Sequence, residues 1–183
     1  MLGVRIPVPR KDAMYGVRIP QEVTAMPRTA LYAGSFDPFT LGHLDIVQKS
    51  ARLFDRVTVL IGVNVRKTRR FPADAMADAI RRTLLDAGIQ NADVALHAGL
   101  ITDYCRDHGI TYYVRGIRTP ADYAYEEGIA QINQMLCPEL ETLYLRAERP
   151  AISSSMIREL IAFHKDVSDY VPDAVREVVQ QKH

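Results

Sequence analysis

TALYAGSFDPFTLGH, residues 29–43, sets the organisation of the chain. Residues 30–34 form an apolar, β-forming run that ends in a glycine, and from Gly42 onward the sequence has the apolar period of a helix. A strand that leads through a glycine turn into a helix is the opening of a βαβ unit. We expect His43 to lie in the first turn of that helix.

The same rhythm continues to the C terminus. Short runs rich in Val, Ile, Leu and Tyr predict strands at residues 30–34, 57–63, 94–98, 111–115 and 142–146. Segments with a helical period predict helices at residues 42–54, 73–87, 101–108, 120–136, 154–163 and 172–181. Gly109 suits a left-handed helix end, and Thr119 with Asp122 resembles a capping box. Because strands this apolar need cover on both faces, we expect an α/β fold with a doubly wound, parallel five-stranded sheet, formed by a single domain at residues 28–183.

Residues 1–27 differ from the rest of the chain. They carry four prolines, show no helical apolar period, and repeat GVRIP at positions 3–7 and 16–20. Two copies of five residues are too few for a repeat architecture. We therefore expect a flexible N-terminal extension, with Met26 a candidate for the native start.

Composition excludes several classes of protein. The 183 residues are 48% hydrophobic and carry a formal net charge of +1, so there is no global basic field for a nucleic-acid partner. Cys105 and Cys137 stand far apart without metal-ligand spacing, which favours a reducing, cytoplasmic setting and no metal site built by the protein. The longest apolar stretch, residues 57–63, is far short of the roughly 18 residues of a membrane span.

Three stretches carry candidate chemistry. The turn at residues 34–43 combines close backbone approach at a glycine with a helix N-terminus, an arrangement that favours a polyphosphate ligand. Arg115 and Arg118 leave the end of one strand three residues apart and offer forked donors to phosphate oxygens. The ISSS segment at residues 152–155 opens a later helix. Each has an ordinary alternative when taken alone: a plain turn, solvated arginines, and simple serine N-caps.

Taken together, the three stretches favour a functional site over these ordinary alternatives. TLGH (residues 40–43) resembles the (H/T)xGH signature of the nucleotidylyltransferase superfamily, and GSFDP (residues 34–38), RGIR (residues 115–118) and ISSS, in this order, resemble phosphopantetheine adenylyltransferase of the bacterial type. This resemblance implies a Rossmann-like fold and transfer of the adenylyl group of ATP to 4′-phosphopantetheine, which gives dephospho-CoA and pyrophosphate. It also implies a homohexamer and a Mg²⁺ ion held mainly by the ATP phosphates.

The resemblance also implies roles for individual residues. The catalytic residues would be His43, Lys67 and Arg118. The residues on the ATP side would be Ser35, Phe36, His43, Gly116, Ile117, Arg118, Glu126, Arg149, Pro150, Ala151, Ile152, Ser153, Ser154 and Ser155. The acceptor would be held by Ser35, Lys67, Ile101 and Arg115. Without the resemblance, Lys67 belongs to a basic run at residues 66–70 that is typical of a solvated loop.

A phosphate monoester is already anionic near neutral pH, so the acceptor can attack ATP without a general base. The protein must supply positioning and donors aimed at the growing phosphoryl charge, with His43 the foremost candidate.

Two alternative functions stay open. One is another small-molecule nucleotidylyltransferase, acting on nicotinamide mononucleotide or glycerol phosphate. The other is a non-catalytic module that binds adenylates or CoA.

Overall fold

The computed structural model describes residues 27–64, 68–149 and 151–180. The strands are β1 Thr29–Gly34, β2 Arg56–Gly62, β3 Ala92–His97, β4 Tyr112–Ile117 and β5 Glu141–Arg146. The helices are α1 Leu41–Leu53, α2 Ala73–Asp86, α3 Ile101–His108, α4 Pro120–Leu136, α5 Ser154–Ala162 and α6 Asp173–Gln180. All eleven predicted elements are confirmed, with boundaries that differ by at most two residues. The predicted extension lies outside the described residues, apart from position 27.

The five strands form one parallel sheet in the order β3-β2-β1-β4-β5. This order confirms the doubly wound fold, because the chain first builds outward through β2 and β3 and then returns to the other side of β1. The strands β1 and β2 pair over six residues, whereas β1 and β4 pair over only three, from Ala30↔Tyr112 to Tyr32↔Val114. The sheet therefore opens between the carboxyl ends of β1 and β4, where the direction of winding changes.

Alternate residues of β1 enter two separate cores, as the period of a strand requires. Ala30 and Tyr32 pack into the larger core, which includes apolar residues of α1, α2, α5 and α6. Leu31 and Ala33 pack into a smaller core on the other face, with Cys105 of α3 and Cys137 at the end of α4. The sheet is thus covered on both faces, which explains why its central strands are apolar without alternation.

The helix ends follow the local chemistry that the sequence indicates, with one difference. Gly109 ends α3 with a φ of 62°, the left-handed conformation that glycine adopts most readily. The Thr119 hydroxyl caps α4 by accepting the Asp122 N–H at 3.2 Å. The expected capping box is only half formed, because the Asp122 carboxylate accepts the backbone N–H and side-chain Nε–H of Arg118 and does not return to the cap.

Helix α4 leaves several large apolar side chains in solvent. Tyr125, Ile132 and Met135 are 70%, 58% and 83% exposed. In the part of the chain that the structure describes, no helix combines the length and apolarity needed to cross a membrane.

Candidate active site

A cavity of about 320 Å³ lies where β1 and β4 separate. Its walls come from the turn after β1, the start of α1, the end of β4 and the start of α5. Twelve of the predicted site residues line it, namely Ser35, Phe36, His43, Arg115, Gly116, Arg118, Glu126, Arg149, Ile152, Ser153, Ser154 and Ser155. Ile117, Ala151 and Ile101 do not line this cavity, and Lys67 and Pro150 fall outside the described residues.

Two glycines allow the walls to approach one another. A Cβ on Gly34 would lie 3.0 Å from the Phe36 ring, and a Cβ on Gly116 would lie 3.0 Å from Ile46 Cγ1 of α1. Both distances are shorter than ordinary contacts, so a larger residue would push Phe36 or α1 out of place. Helix α1 therefore packs closely against the end of β4, with its N-terminus at the cavity.

His43 is fixed by the cap of α1. The Thr40 hydroxyl accepts the His43 backbone N–H at 3.3 Å, and the Thr40 backbone N–H donates to His43 Nδ1 at 3.0 Å. This is a capping box in which histidine takes the place usually held by Glu or Gln. Phe36 and Phe39 surround the imidazole, with ring centroids 5.0 and 5.5 Å from it.

Burial and nearby positive charge decide the protonation of His43. Burial in this pocket, reinforced by the positive charges of Arg118 and Arg115, lowers its pKa from 6.5 to about 3. The ring is therefore neutral at physiological pH. Since Nδ1 accepts the Thr40 N–H, the single ring proton resides on Nε2. His43 thus offers one fixed N–H donor and has little capacity to take up a proton.

Arg115 is already engaged within the protein. Its guanidinium forms a bidentate ion pair with Glu126, and Nη1 donates to the Ala33 carbonyl at 2.7 Å and the Tyr113 hydroxyl at 2.8 Å. This arrangement ties the ends of β4 and β1 to α4. It also leaves only part of the Arg115 donor set for a ligand.

The other arginines of the cavity are less engaged. Arg118 pairs with Asp122 at 2.9 Å, with its side chain about one-third exposed. Arg149 and Arg158 have no carboxylate within ion-pair distance among the described residues. Glu126 is the single acid among the described lining residues, so the cavity carries an excess of positive charge suited to a polyanion.

The serine segment forms the N-terminus of α5. The Ser153 hydroxyl caps the helix by accepting the Met156 N–H at 3.1 Å, while Ser154 Oγ donates to the Pro38 carbonyl at 2.8 Å. The Ser155 hydroxyl accepts from Arg158 Nη2 at 3.1 Å. A Cβ on Gly42 would lie 3.6 Å from the Ile152 carbonyl, which places the starts of α1 and α5 side by side. Two positive helix ends therefore converge on the cavity.

Three residues at or beside this site are absent from the predicted site residues, although Asp37 belongs to the GSFDP motif. Arg158 lines the cavity and donates to the Asp37 carbonyl at 2.5 Å. The Asp37 carboxylate accepts the backbone N–H groups of Arg70 and Phe71, both at 3.0 Å. Arg69 contacts the same turn through its guanidinium. The available signals were an arginine three residues after the serines and a basic run that resembles a solvated loop.

Comparisons with known proteins show the family of the chain. The family model described as cytidylyltransferase-like matches residues 31–160. The chain is 36% identical over 157 residues to a phosphopantetheine adenylyltransferase of Geotalea daltonii, covering 85% of this chain and 96% of the relative. It is 43% identical over 148 residues to the protein of that name from Bifidobacterium longum, covering 80% and 89%.

A solved structure shares the fold at lower sequence similarity. A nicotinate-nucleotide adenylyltransferase from Vibrio parahaemolyticus superposes with a TM-score of 0.63 at 16% identity, covering 84% of this chain and 92% of that one. At this identity the likeness establishes the architecture alone. The sequence relatives go further, since they match nearly their whole length. The chain belongs to the cytidylyltransferase-like family, within its phosphopantetheine adenylyltransferase branch.

Proposed function

We propose that the chain transfers the adenylyl group of ATP to 4′-phosphopantetheine and releases pyrophosphate. One observation carries the chemical part of this proposal: the neutral His43 presents a fixed Nε2–H donor in a cationic cavity between two helix N-termini. The identity of the acceptor rests on the relatives, which are phosphopantetheine adenylyltransferases at 36–43% identity.

We assign the triphosphate of ATP to the starts of α1 and α5. Backbone N–H groups at both ends, with the hydroxyls of the serine segment, suit the β- and γ-phosphates. Arg118 and Arg158 both line the cavity and would supply positive charge as pyrophosphate departs. This placement brings the α-phosphate toward His43.

The acceptor phosphate is the nucleophile in this proposal. One of its oxygens attacks the α-phosphorus, a new P–O–P bond forms, and the bond from the α-phosphorus to the bridging oxygen breaks so that pyrophosphate leaves. No proton need be removed from the acceptor, because a phosphate monoester is ionised near pH 7. The Nε2–H of His43 donates to the α-phosphoryl oxygen, where charge grows in the transition state.

Fewer of the residues that the structure describes are assigned to the acceptor. We propose that Lys67 and the free donor capacity of Arg115 bind its phosphate, and that Ile101, at the start of α3, lies along the pantetheine arm. Replacing Lys67 by Ala should then raise the Michaelis constant for the acceptor and leave that for ATP nearly unchanged. An unchanged acceptor Michaelis constant would contradict this assignment.

Mg²⁺ fits this site as part of the nucleotide. Among the described residues, no group of three or more His, Cys, Asp or Glu side chains is placed to hold a metal ion, and Glu126 is paired with Arg115. We therefore propose that the ATP phosphates carry the ion, with water completing its shell. Its contribution would be to neutralise charge on those phosphates.

We also propose that the chain forms a homo-oligomer, a hexamer by family resemblance, in a reducing, cytoplasmic setting. The exposed apolar side chains of α4 support an association surface. Light scattering coupled to gel filtration tests this directly, and a monomer at micromolar concentration would refute it.

The reaction is tested by pyrophosphate release with a panel of substrates. ATP with 4′-phosphopantetheine should give pyrophosphate and dephospho-CoA, identified by mass. Nicotinamide mononucleotide with ATP, and glycerol phosphate with CTP, should give little or none. Turnover with either of these instead would favour another nucleotidylyltransferase, and no release with any acceptor would favour a binding module.

A further inference from the structure

Four consecutive backbone carbonyls of the turn after β1 each accept a hydrogen bond from a side chain. Arg69 Nη1 donates to the Ser35 carbonyl at 2.6 Å, and its Nη2 donates to the Phe36 carbonyl at 3.3 Å. The next two carbonyls, of Asp37 and Pro38, accept from Arg158 and Ser154 of α5. The turn is therefore held from two sides, by α5 and by the loop that precedes α2.

The Arg69 guanidinium also forms a hydrogen bond within its own loop. Its Nε donates to the Phe71 carbonyl at 3.2 Å, so one planar group holds three carbonyls at once. The Asp37 carboxylate reinforces this link in the opposite direction, through the N–H groups of Arg70 and Phe71. Asp37 is only 8% exposed, so its side of the link is buried.

The backbone at Phe36 needs such support. Its φ is 41°, a conformation that bulky non-glycine residues rarely adopt. The ring is buried and packs edge-on against His43 at 5.0 Å. A carbonyl held on each side of the Phe36 Cα fixes the two peptide planes that define this conformation.

The orientation of those planes has a consequence for the cavity. In a trans peptide the N–H points opposite to the C=O. With the Ser35 and Phe36 carbonyls turned toward Arg69, the N–H groups of Phe36 and Asp37 point away from it. Neither N–H finds an acceptor among the described residues, and Phe36 lines the cavity. Phe36 therefore brings the first of these N–H groups to the cavity wall, and the second lies one residue further along the turn.

We propose that Arg69 is a positioning residue for nucleotide phosphate binding. It acts through the turn, by holding the Ser35 and Phe36 carbonyls so that the amides on the far side face the phosphates, and by keeping Phe36 against His43. The inference rests on the proposed function for its substrate, since it assigns these amides to the phosphates of ATP.

The test compares Arg69→Met with Arg70→Met and Arg69→Lys. Arg70 is a matched control, because it is exposed, lies in the same basic loop, and bonds Asp37 only through its backbone. Arg69→Met should lower kcat/KM for ATP by about 10- to 100-fold, as expected when reacting groups are misplaced, with the acceptor KM nearly unchanged. Arg70→Met should change either constant less than about twofold.

Lysine at position 69 separates geometry from charge. An ammonium cannot hold three carbonyls in one plane, so Arg69→Lys should recover only part of the lost activity. Full recovery with lysine, or equal losses in Arg69→Met and Arg70→Met, would overturn the proposal. Calorimetric titration with MgATP provides a readout that does not require an acceptor. If the wild-type chain released no pyrophosphate, the proposed reaction would fail, yet weaker MgATP binding in Arg69→Met alone would still support the positioning role, and equal binding would contradict it.

Discussion

The imidazole ring of His43 is neutral, although the positively charged Arg118 and Arg115 lie near it. Phosphoryl transfer to an acceptor that is already ionised calls for a donor, and a protonated imidazole is not needed for that purpose. The capping box fixes the tautomer, while burial and the nearby guanidiniums prevent protonation. We therefore expect the pH dependence of kcat to show no ionisation from this histidine between pH 5 and pH 9.

The lowered pKa also predicts how stability depends on pH. Well above pH 6.5 the ring is neutral in both the folded and unfolded chain, so His43 contributes no pH dependence there. As the pH falls toward the folded value of about 3, only the unfolded chain takes up the proton. The free energy of unfolding should then fall by at most about 1.4 kcal/mol per pH unit from this group.

Urea unfolding of the wild type and His43→Gln at pH 7.5 and pH 5.0 measures this effect. The glutamine variant should lose less stability between the two pH values, by up to about 2 kcal/mol. Equal losses in the two proteins would show that the histidine already takes up a proton in the folded state.

The sequence located some of these residues and missed others for a physical reason. His43, Arg118 and the serines follow strand ends or helix starts, where local pattern predicts exposure to a ligand. The bonding partners of Arg69 and Arg158 are backbone carbonyls 34 and 121 residues away, which only the fold brings together. Lys67 stays a prediction from the motif.

At the scale of elements, Arg115 and Glu126 join the end of β4 to α4. The strand, helix and capping patterns were predictable from period and turn residues. That these two side chains pair with each other was not, because the motif assigned them to different substrates. Their side chains are only 19% and 11% exposed, so the pair is largely removed from water.

Glu126→Gln should destabilise the fold because it leaves the Arg115 charge without its partner. We expect a loss of about 2–4 kcal/mol in the free energy of unfolding, measured by denaturant titration. Glu127→Gln is the matched control: the side chain accepts the Tyr144 hydroxyl at 2.8 Å, a bond that glutamine can keep. Similar losses in the two variants would mean that the Arg115 pair contributes no special stability.

At the scale of the whole molecule, the sheet order places every converging group at one rim. The apolar runs and helical periods were sufficient to predict this doubly wound arrangement. They could not give the depth of the opening between β1 and β4, which depends on the short three-residue pairing of these strands.

The predicted N-terminal extension lies outside the residues that the structure describes, apart from position 27. The first strand begins at Thr29, and the family model begins at residue 31. Deleting residues 1–25 should therefore leave the melting temperature and the rate of pyrophosphate release within about twofold of the full chain. A large loss of either would show that the region contributes to the fold or to the site.

The rate of a single turnover with ATP and 4′-phosphopantetheine, compared between the wild type and His43→Ala, tests the role of the histidine most directly. Removing a preorganised donor to the reacting phosphoryl group should slow the chemical step by about 100-fold or more, while the dissociation constant for MgATP changes little. A near-normal rate in His43→Ala would show that the histidine is not the donor to the reacting phosphoryl group.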